Sequence, residues 1–363
     1  MNPLEELAHA ARRRGFDVHR APARLPEVWG RAYLDWIQSG RHAGMAYLAR
    51  DPRARIDPAR RFPWFRGALV LSLSYAYPEP PRPAGGLRLG RVARYAWVRD
   101  YHLRIEPHLR ALEDLCVRLG GRCRGYVDYG PVLERAYAAA SGGGWIGRNG
   151  LWLTQSGGSY RHLAVLLTSW AADPAAPHPN RCGRCSACVA NCPTGAIVAD
   201  GVVDARRCIS YWTIEHRGLV PLERWAGIGD WLFGCDDCQT VCPWNRRPRA
   251  ADPLPDPELA WPDLSSFFSL SSRAFARRYA GSAFVRSGRA SLARNALIVL
   301  ANRDPEALAG LLSAALADPS ERVRATAAAA AARTGRSDLA ARALGSLGEA
   351  ARGYVAQALE LFG

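Results

Sequence analysis

The run CGRCSACVANCP, from Cys182 to Pro193, constrains this chain more than any other stretch. Its spacing, C-x2-C-x2-C-x3-C-P, is that of two-cluster bacterial ferredoxins, in which the fourth cysteine ligates the other cluster. Such a loop wraps three thiolates around one iron–sulfur cubane, and the proline turns the chain away. A second run, CDDCQTVCP from Cys235 to Pro243, is one cysteine short. Two cubanes need eight thiolates, and Cys208 in RRCISYW, between the runs, completes the set. The crossed arrangement gives Cys182, Cys185, Cys188 and Cys242 to one [4Fe–4S] cluster. Cys192, Cys208, Cys235 and Cys238 go to the other. Zinc also takes paired C-x2-C ligands, but a four-ligand site leaves the proline-followed cysteine of each run unexplained. Cys116 and Cys123, the remaining two of ten cysteines, read as small apolar fillers.

Clusters carry electrons singly and do no bond chemistry, so a bare electron carrier is the simplest reading of the runs alone. The roughly 180 residues before them argue for a separate catalytic task. At 363 residues the chain has room for two or three domains. No apolar run reaches the roughly 18 residues that span a bilayer. The N-terminal MNPLEELAHAARRRGFDV reads as an amphipathic helix without the apolar segment of a secretory signal. A cytoplasmic location is therefore expected, where cysteines serve metal ligation more than disulfides. Net charge is +15, and all 48 basic residues are arginine. Such an excess over 33 acids favours a polyanionic partner, nucleic acid first.

Along the chain, residues 1–50 read as helical from apolar spacing of three and four. GALVLSLSYAYP, Gly67–Pro78, reads as a buried strand, and Pro78–Gly86 as a loop. DYHLRIEPHLRALEDLCVRLGG is a helix with a glycine stop, RCRGYVDYG a strand leaving into a turn, and LWLTQSGGSYRHLAVLLTS a hairpin. Helices and strands mixed in this order indicate an α/β or α+β catalytic domain. Arg246–Pro262 is a proline-rich linker. From Leu264 onward the chain reads as successive helices with starts at DPEAL and DPSERVR, a pattern like HEAT repeats.

MAYLARDPRARIDP, RYAWVRDYH, VDYGPVLERAYAAASGGGWIGRNGLWL and FGCDDCQTVCPWN, with the extra Cys208, together resemble the epoxyqueuosine reductase family from about Ala46 to the helical tail. The resemblance implies an α+β fold. A nitroreductase-like cobalamin-binding domain would span 1–175, a ferredoxin-like domain with two [4Fe–4S] clusters 176–248, and a HEAT-like helical domain contacting tRNA 249–363. It also implies the reduction of epoxyqueuosine in tRNA to queuosine, a cytoplasmic monomer, and an electron donor that the sequence does not identify. Asp128 in YVDYG matches the family's proton donor. A strand-to-turn position suits a catalytic group, and burial beside a corrin would raise its pKa as an acid requires. The plain alternative is an Asx-turn aspartate ahead of Gly130.

The same resemblance carries cobalamin contacts to Arg55, Asp128, Arg135, Trp145, Asn149, Ser210 and Tyr211. Arg135 would hold a cofactor side chain or substrate group, or pair with Glu134. Trp145 would stack, and Asn149 would bond an amide arm. The glycines of SGGGWIGRNG would let a macrocycle approach, or simply make a tight connection. No D-x-H-x-x-G cobalt-ligand motif is present, since DYHLRI has Ile105 where the glycine belongs. His102 reads as a helix-start residue.

Leu264–Arg303 holds seven arginines and no acid, with Phe275, Tyr279 and Phe284 among them. Arginine neutralises phosphate and aromatics stack on bases, so this stretch, with Arg217, Arg246 and Arg247, is the expected tRNA track. The competing reading puts those aromatics in a core. Rival functions are a reductive dehalogenase-like cobalamin and iron–sulfur enzyme, for which a basic tail has no use, and the non-catalytic iron–sulfur carrier.

Overall fold

Gly67–Ser74 and Arg161–Thr168 have apolar centres and are buried at nearly every position, as strands covered on both faces are. In the computed structural model, which describes residues 2–84, 88–247 and 250–363, they pair antiparallel at the centre of a four-stranded sheet. The edges are Asp17–Pro22 beside Gly67–Ser74 and Cys123–Tyr126 beside Arg161–Thr168. Alternation sorts the central side chains into two cores. Leu69, Leu71, Ala164 and Leu166 meet Leu4, Leu7, Ile105, Leu109 and Leu112 of the Pro3–Arg13 and Tyr101–Arg118 helices. Ala68, Val70, Val165 and Leu167 meet Phe65, Tyr137 and Trp152 on the other face.

Three expectations are corrected here. Residues 1–50 are not all helical, because Asp17–Pro22 is an edge strand. Only Ala21 of it is fully buried, so it carries no alternation strong enough to read. The hairpin over Leu151–Ser169 is not one. Trp152–Leu153 pairs with Trp145–Ile146, while Arg161–Thr168 joins the main sheet. Cys116 and Cys123 are joined as a disulfide, because the Tyr101–Arg118 helix turns back directly into the Cys123–Tyr126 strand.

The chain divides into two units, each discontinuous in sequence: 1–78, 100–206 and 237–254 in the first, and 79–99, 207–236 and 255–363 in the second. In the second, Trp231–Phe233 pairs in parallel with Arg91–Val92. Its helices Arg289–Arg303, Glu321–Arg333 and Glu349–Phe362 pack in succession, with the alanine run Ala327–Ala332 buried between neighbours. Asp304 caps the Pro305–Ala309 helix by accepting from the Ala307 amide, as DPEAL suggests. A buried bidentate pair joins Arg289 to Asp318 at 2.7 and 2.8 Å. The Pro78–Gly86 loop and Arg246–Pro262 linker lie partly outside the described residues, at 85–86 and 248–249. Among the described residues no helix is long and apolar enough to cross a membrane.

Candidate functional site

Cys182, Cys185, Cys188 and Cys242 line one cavity in the first unit, although Cys242 is distant in sequence. Gly147, Arg148, Asn149, Leu153, Ala187, Pro243 and Trp244 complete its wall. A Cβ at Gly147 would crowd the Leu153 side chain at 2.4 Å and the Asn149 side-chain oxygen at 2.9 Å, so a larger residue would have to displace both. Among the described residues no three metal-binding side chains converge on a single ion, so the four sulfurs surround a space instead. Burial pushes the Cys188 and Cys242 thiols up, and the neighbouring cysteines add to it. Crowded sulfurs of this kind need a cationic centre to hold them as thiolates. The donor set fits a four-iron cubane. Cys192 and Cys238 belong to the first unit and Cys208 and Cys235 to the second. None of the eight is in a disulfide.

Asp128 stands at the end of the Cys123–Tyr126 strand with φ +65°, a left-handed conformation that a non-glycine residue seldom adopts. Its carboxylate accepts a hydrogen bond from the Tyr101 hydroxyl at 2.7 Å, from the first turn of the neighbouring helix rather than from its own turn. The side chain is exposed, so the burial expected for it is not supplied by this unit. Gly130 is buried behind it, where a Cβ would lie 2.3 Å from the Tyr126 ring. Arg55 braces this turn by donating to the Gly130 carbonyl at 2.9 Å and the Tyr47 carbonyl at 3.3 Å.

Tyr101, which the sequence did not single out, is sandwiched between His162 and His102 with ring centroids 4.4 and 4.3 Å away. Burial, helped by Arg104, lowers His162 to about 3, so it stacks as a neutral ring. His102 is a helix-start residue as expected, with Asp100 both capping the helix and accepting from its ring at 2.7 Å. Burial opposes protonation of His102, but Asp100 outweighs it and its pKa is raised. These contacts fix the Tyr101 hydroxyl against Asp128.

Glu134, at the start of the Glu134–Ala140 helix, does not pair with Arg135. Among the described residues its Oε1 is buried without a hydrogen-bond partner, while Arg135 donates to the Gly150 carbonyl at 2.5 Å. Burial, then the negative charge of Asp128, raises Glu134 to about 7.

Other expected contacts are corrected by packing. Trp145 is 3% exposed, stacked on His178 and edge-on to Trp244, so its ring is taken up by the chain. Asn149 is buried beside the cluster cavity, accepting from Leu151 and donating to the Cys238 carbonyl. The glycine-rich stretch is a tight connection rather than a cradle. A Cβ at Gly143 would strike His19, and one at Gly144 the Leu153 carbonyl.

In the second unit, Ser210 leads into a π-helical turn, Tyr211–Glu215. Tyr211 is buried, with its hydroxyl 3.3 Å from His216. Arg294, fully buried, ties down this segment by donating to the carbonyls of Trp212, His216 and Gly218. Burial and nearby Arg322 lower Arg294 to about 9.

The basic stretch differs from its sequence reading. Phe275, Tyr279 and Phe284 are core residues packed with Phe267 and Phe233, so they are not free to stack on bases. Arg289 and Arg294 are buried. Acids from elsewhere in the unit meet three of the exposed arginines: Glu258 at Arg278, Glu215 at Arg286 and Asp230 at Arg303. Arg273 and Arg277 remain exposed on the Ser272–Arg278 helix. Arg217 donates to the backbone of Ile214, Arg286 and Ser287. Arg246 and Arg247 are exposed in the first unit.

Comparison with known proteins agrees with this arrangement. Residues 181–245 match the family of 4Fe-4S double cluster binding domains, and 55–129 match "Epoxyqueuosine reductase QueG, DUF1730". The chain is 40% identical over 301 residues to an epoxyqueuosine reductase of Pseudomonas aeruginosa, covering 80% of this chain and 82% of that one. It is 37% identical over 277 residues to one of Vibrio cholerae, covering 74% of each. Among solved structures, an epoxyqueuosine reductase holding an epoxyqueuosine-modified tRNA-Tyr stem loop superposes with a TM-score of 0.90 at 31% identity, over 99% of this chain and 98% of that one. One from Bacillus subtilis, with its catalytic aspartate loop swung out of the active site, gives 0.90 at 30% identity, over 99% of both chains.

Proposed function

The chain belongs to the epoxyqueuosine reductase family, and from that premise we propose how its own residues perform the family's reaction, with Asp128 as the proton donor. The enzyme reduces epoxyqueuosine in tRNA to queuosine. Two electrons and two protons enter, both carbon–oxygen bonds of the epoxide break, a carbon–carbon double bond forms, and the oxygen leaves as water. The observation that carries the role of Asp128 is its exposed carboxylate, held by Tyr101 on a strained turn within the matched reductase segment. An electron carrier has no use for such a group.

The division into a nitroreductase-like domain (1–175), a ferredoxin-like domain (176–248) and a HEAT-like tail (249–363) is supported by the sheet with helices on both faces, the four-thiol cavity and the successive C-terminal helices. We assign the first cluster to Cys182, Cys185, Cys188 and Cys242, and the second to Cys192, Cys208, Cys235 and Cys238. Cobalamin is the family's further cofactor. Within the first unit the Asp128 carboxylate is exposed and so open to a bound cofactor and substrate, whereas the Trp145 ring and the Asn149 amide are engaged in internal packing. When bound, cobalamin supplies a cobalt centre that accepts electrons singly and acts on carbon. Arg55 fixes the Asp128 turn, Tyr101 aims the carboxylate, and Asp128 gives its proton to the departing oxygen. Ser210 and Tyr211, just after Cys208, are the contacts proposed from the second unit.

The tRNA partner is supported by the solved relative with its stem loop, and exposed Arg273, Arg277, Arg246 and Arg247 are the proposed backbone contacts. Function in the cytoplasm as a monomer, with an external electron donor, accords with this substrate. The test is anaerobic incubation of cluster-loaded protein, cobalamin and reductant with tRNA bearing epoxyqueuosine, followed by mass spectrometry of its nucleosides. Loss of one oxygen is expected. No conversion by protein with full iron content would overturn the proposal.

A further inference from the structure

The clusters must be filled from outside, one electron at a time, and the loop around the four-thiol cavity has an open mouth. Cys185, one of the four thiols lining that cavity, is exposed. The residues around it in sequence, Arg181, Gly183, Arg184 and Ser186, are exposed as well. Val189, in the short Ala187–Ala190 helix that follows, keeps its apolar side chain 37% exposed. The stretch 174–199 contains no acid. Among the described residues Arg181 and Arg184 have no acid partner from elsewhere either. Arg148, which lines the cavity and donates to the Gly183 carbonyl at 3.0 Å, is different, because Asp200 pairs with it at 3.2 Å. The mouth of the cavity thus combines an exposed thiol, two unneutralised guanidinium groups and a bare apolar side chain.

Resting on the assignment of Cys182, Cys185, Cys188 and Cys242 to the first cluster, we propose that this mouth is the docking surface for the electron donor, and that the donor is an acidic one-electron carrier protein of the ferredoxin or flavodoxin class. Each encounter moves one electron from the reduced carrier to the oxidised first cluster. Two encounters supply the two electrons of the reduction, and no bond or proton changes in either. A hydride donor does not suit this site, since it gives electrons in pairs and a cubane accepts one. Electron transfer weakens steeply with distance, so an exposed ligand lets the partner's redox group come close. An RNA has no electron to give and no use for an exposed cluster ligand. Electron-transfer encounters bury little surface and rely on complementary charge to speed association. Two arginines beside one apolar contact suit a small acidic face of that kind.

The test follows bleaching of the cluster absorbance by stopped flow, in the cluster-loaded, cobalamin-free full chain without tRNA. The probes are a reduced plant-type [2Fe–2S] ferredoxin, which is acidic, and reduced methyl viologen, a small cation. The second-order rate with ferredoxin should fall about tenfold between roughly 50 and 500 mM salt, whereas the rate with viologen should not fall. Arg181→Glu and Arg184→Glu together should slow reduction by ferredoxin about tenfold at low salt and flatten its salt dependence. Iron content, reduction by viologen and affinity for a tRNA stem loop should stay as in wild type. The salt dependence is read on the wild-type protein, so the result does not hang on the variant folding. A ferredoxin rate indifferent to salt, or equal in wild type and variant, overturns the proposal. So does a variant that loses tRNA affinity but is reduced by ferredoxin at the wild-type rate, which makes the surface an RNA site. If Cys242→Ala keeps both clusters, the cluster assignment itself fails, whatever the ferredoxin rate.

Discussion

The Tyr101 hydroxyl donates to the Asp128 carboxylate at 2.7 Å, joining the first turn of a long helix to a turn whose aspartate has a positive φ. Because the Tyr101 ring is clamped between two imidazoles, the hydroxyl has little freedom to wander. Tyr101→Phe should keep the fold and lose the aim of the carboxylate. A fall in kcat of about tenfold is expected, the worth of one hydrogen bond to a charged group, with the KM for tRNA little changed. Equal kcat in the two enzymes would remove Tyr101 from the account.

Cluster assignment is checked by iron content. Cys242→Ala should remove the first cluster and Cys208→Ala the second, each leaving about half the iron and one reducible centre by electron paramagnetic resonance. A Cys208→Ala protein with both clusters intact would show that the eighth ligand is elsewhere.

Glu134 makes stability depend on pH. Its pKa is about 7 in the folded chain against 4.5 for an ordinary glutamate, so between these values the folded state binds more protons than the unfolded one. Stability is therefore highest below the unfolded value and falls as pH rises toward 7. The loss is at most roughly 3 kcal/mol. Chemical denaturation should find Glu134→Gln more stable than wild type at pH 8 and indistinguishable from it near pH 4.

Arg273 and Arg277 are exposed and, among the described residues, have no acid partner, unlike Arg278, Arg286 and Arg303. Replacing each of the first two with alanine should weaken tRNA binding and reduce the slope of log affinity against log salt by about 1. Replacing Arg286, already held by Glu215, should do less. Filter-binding titrations at several salt concentrations separate the two outcomes.

What could be read from the sequence was what is local. Cysteine spacing within one run survives any rearrangement of distant chain, and Cys182, Cys185 and Cys188 line one cavity, whereas Cys242 reaches it only through the fold. The central strands announce themselves by being apolar on both faces, whereas Asp17–Pro22 lies at an edge and has no such signal. Tertiary partners were invisible. A window free of acids looked strongly basic until Glu258, Glu215 and Asp230 arrived from elsewhere in the unit. Aromatics spaced among arginines looked like a stacking surface, yet Phe275, Tyr279 and Phe284 form a core. Trp145 and Asn149 have the chemistry to hold a ligand, and the chain uses both for itself. Tyr101 carries no sequence mark beyond its place after a capping aspartate, and its role emerges only when the Asp128 turn is folded against it.

The central claim is that Asp128 protonates the departing epoxide oxygen, and a single-turnover assay tests it most directly. Reduced, cobalamin-loaded wild-type and Asp128→Asn proteins, matched for iron content, are mixed with tRNA bearing epoxyqueuosine, and the nucleoside is followed by mass spectrometry. The wild-type protein is expected to convert it to the product lacking one oxygen. The variant, which still binds tRNA, should do so at least about a hundredfold more slowly. Conversion by Asp128→Asn at the wild-type rate would contradict the account.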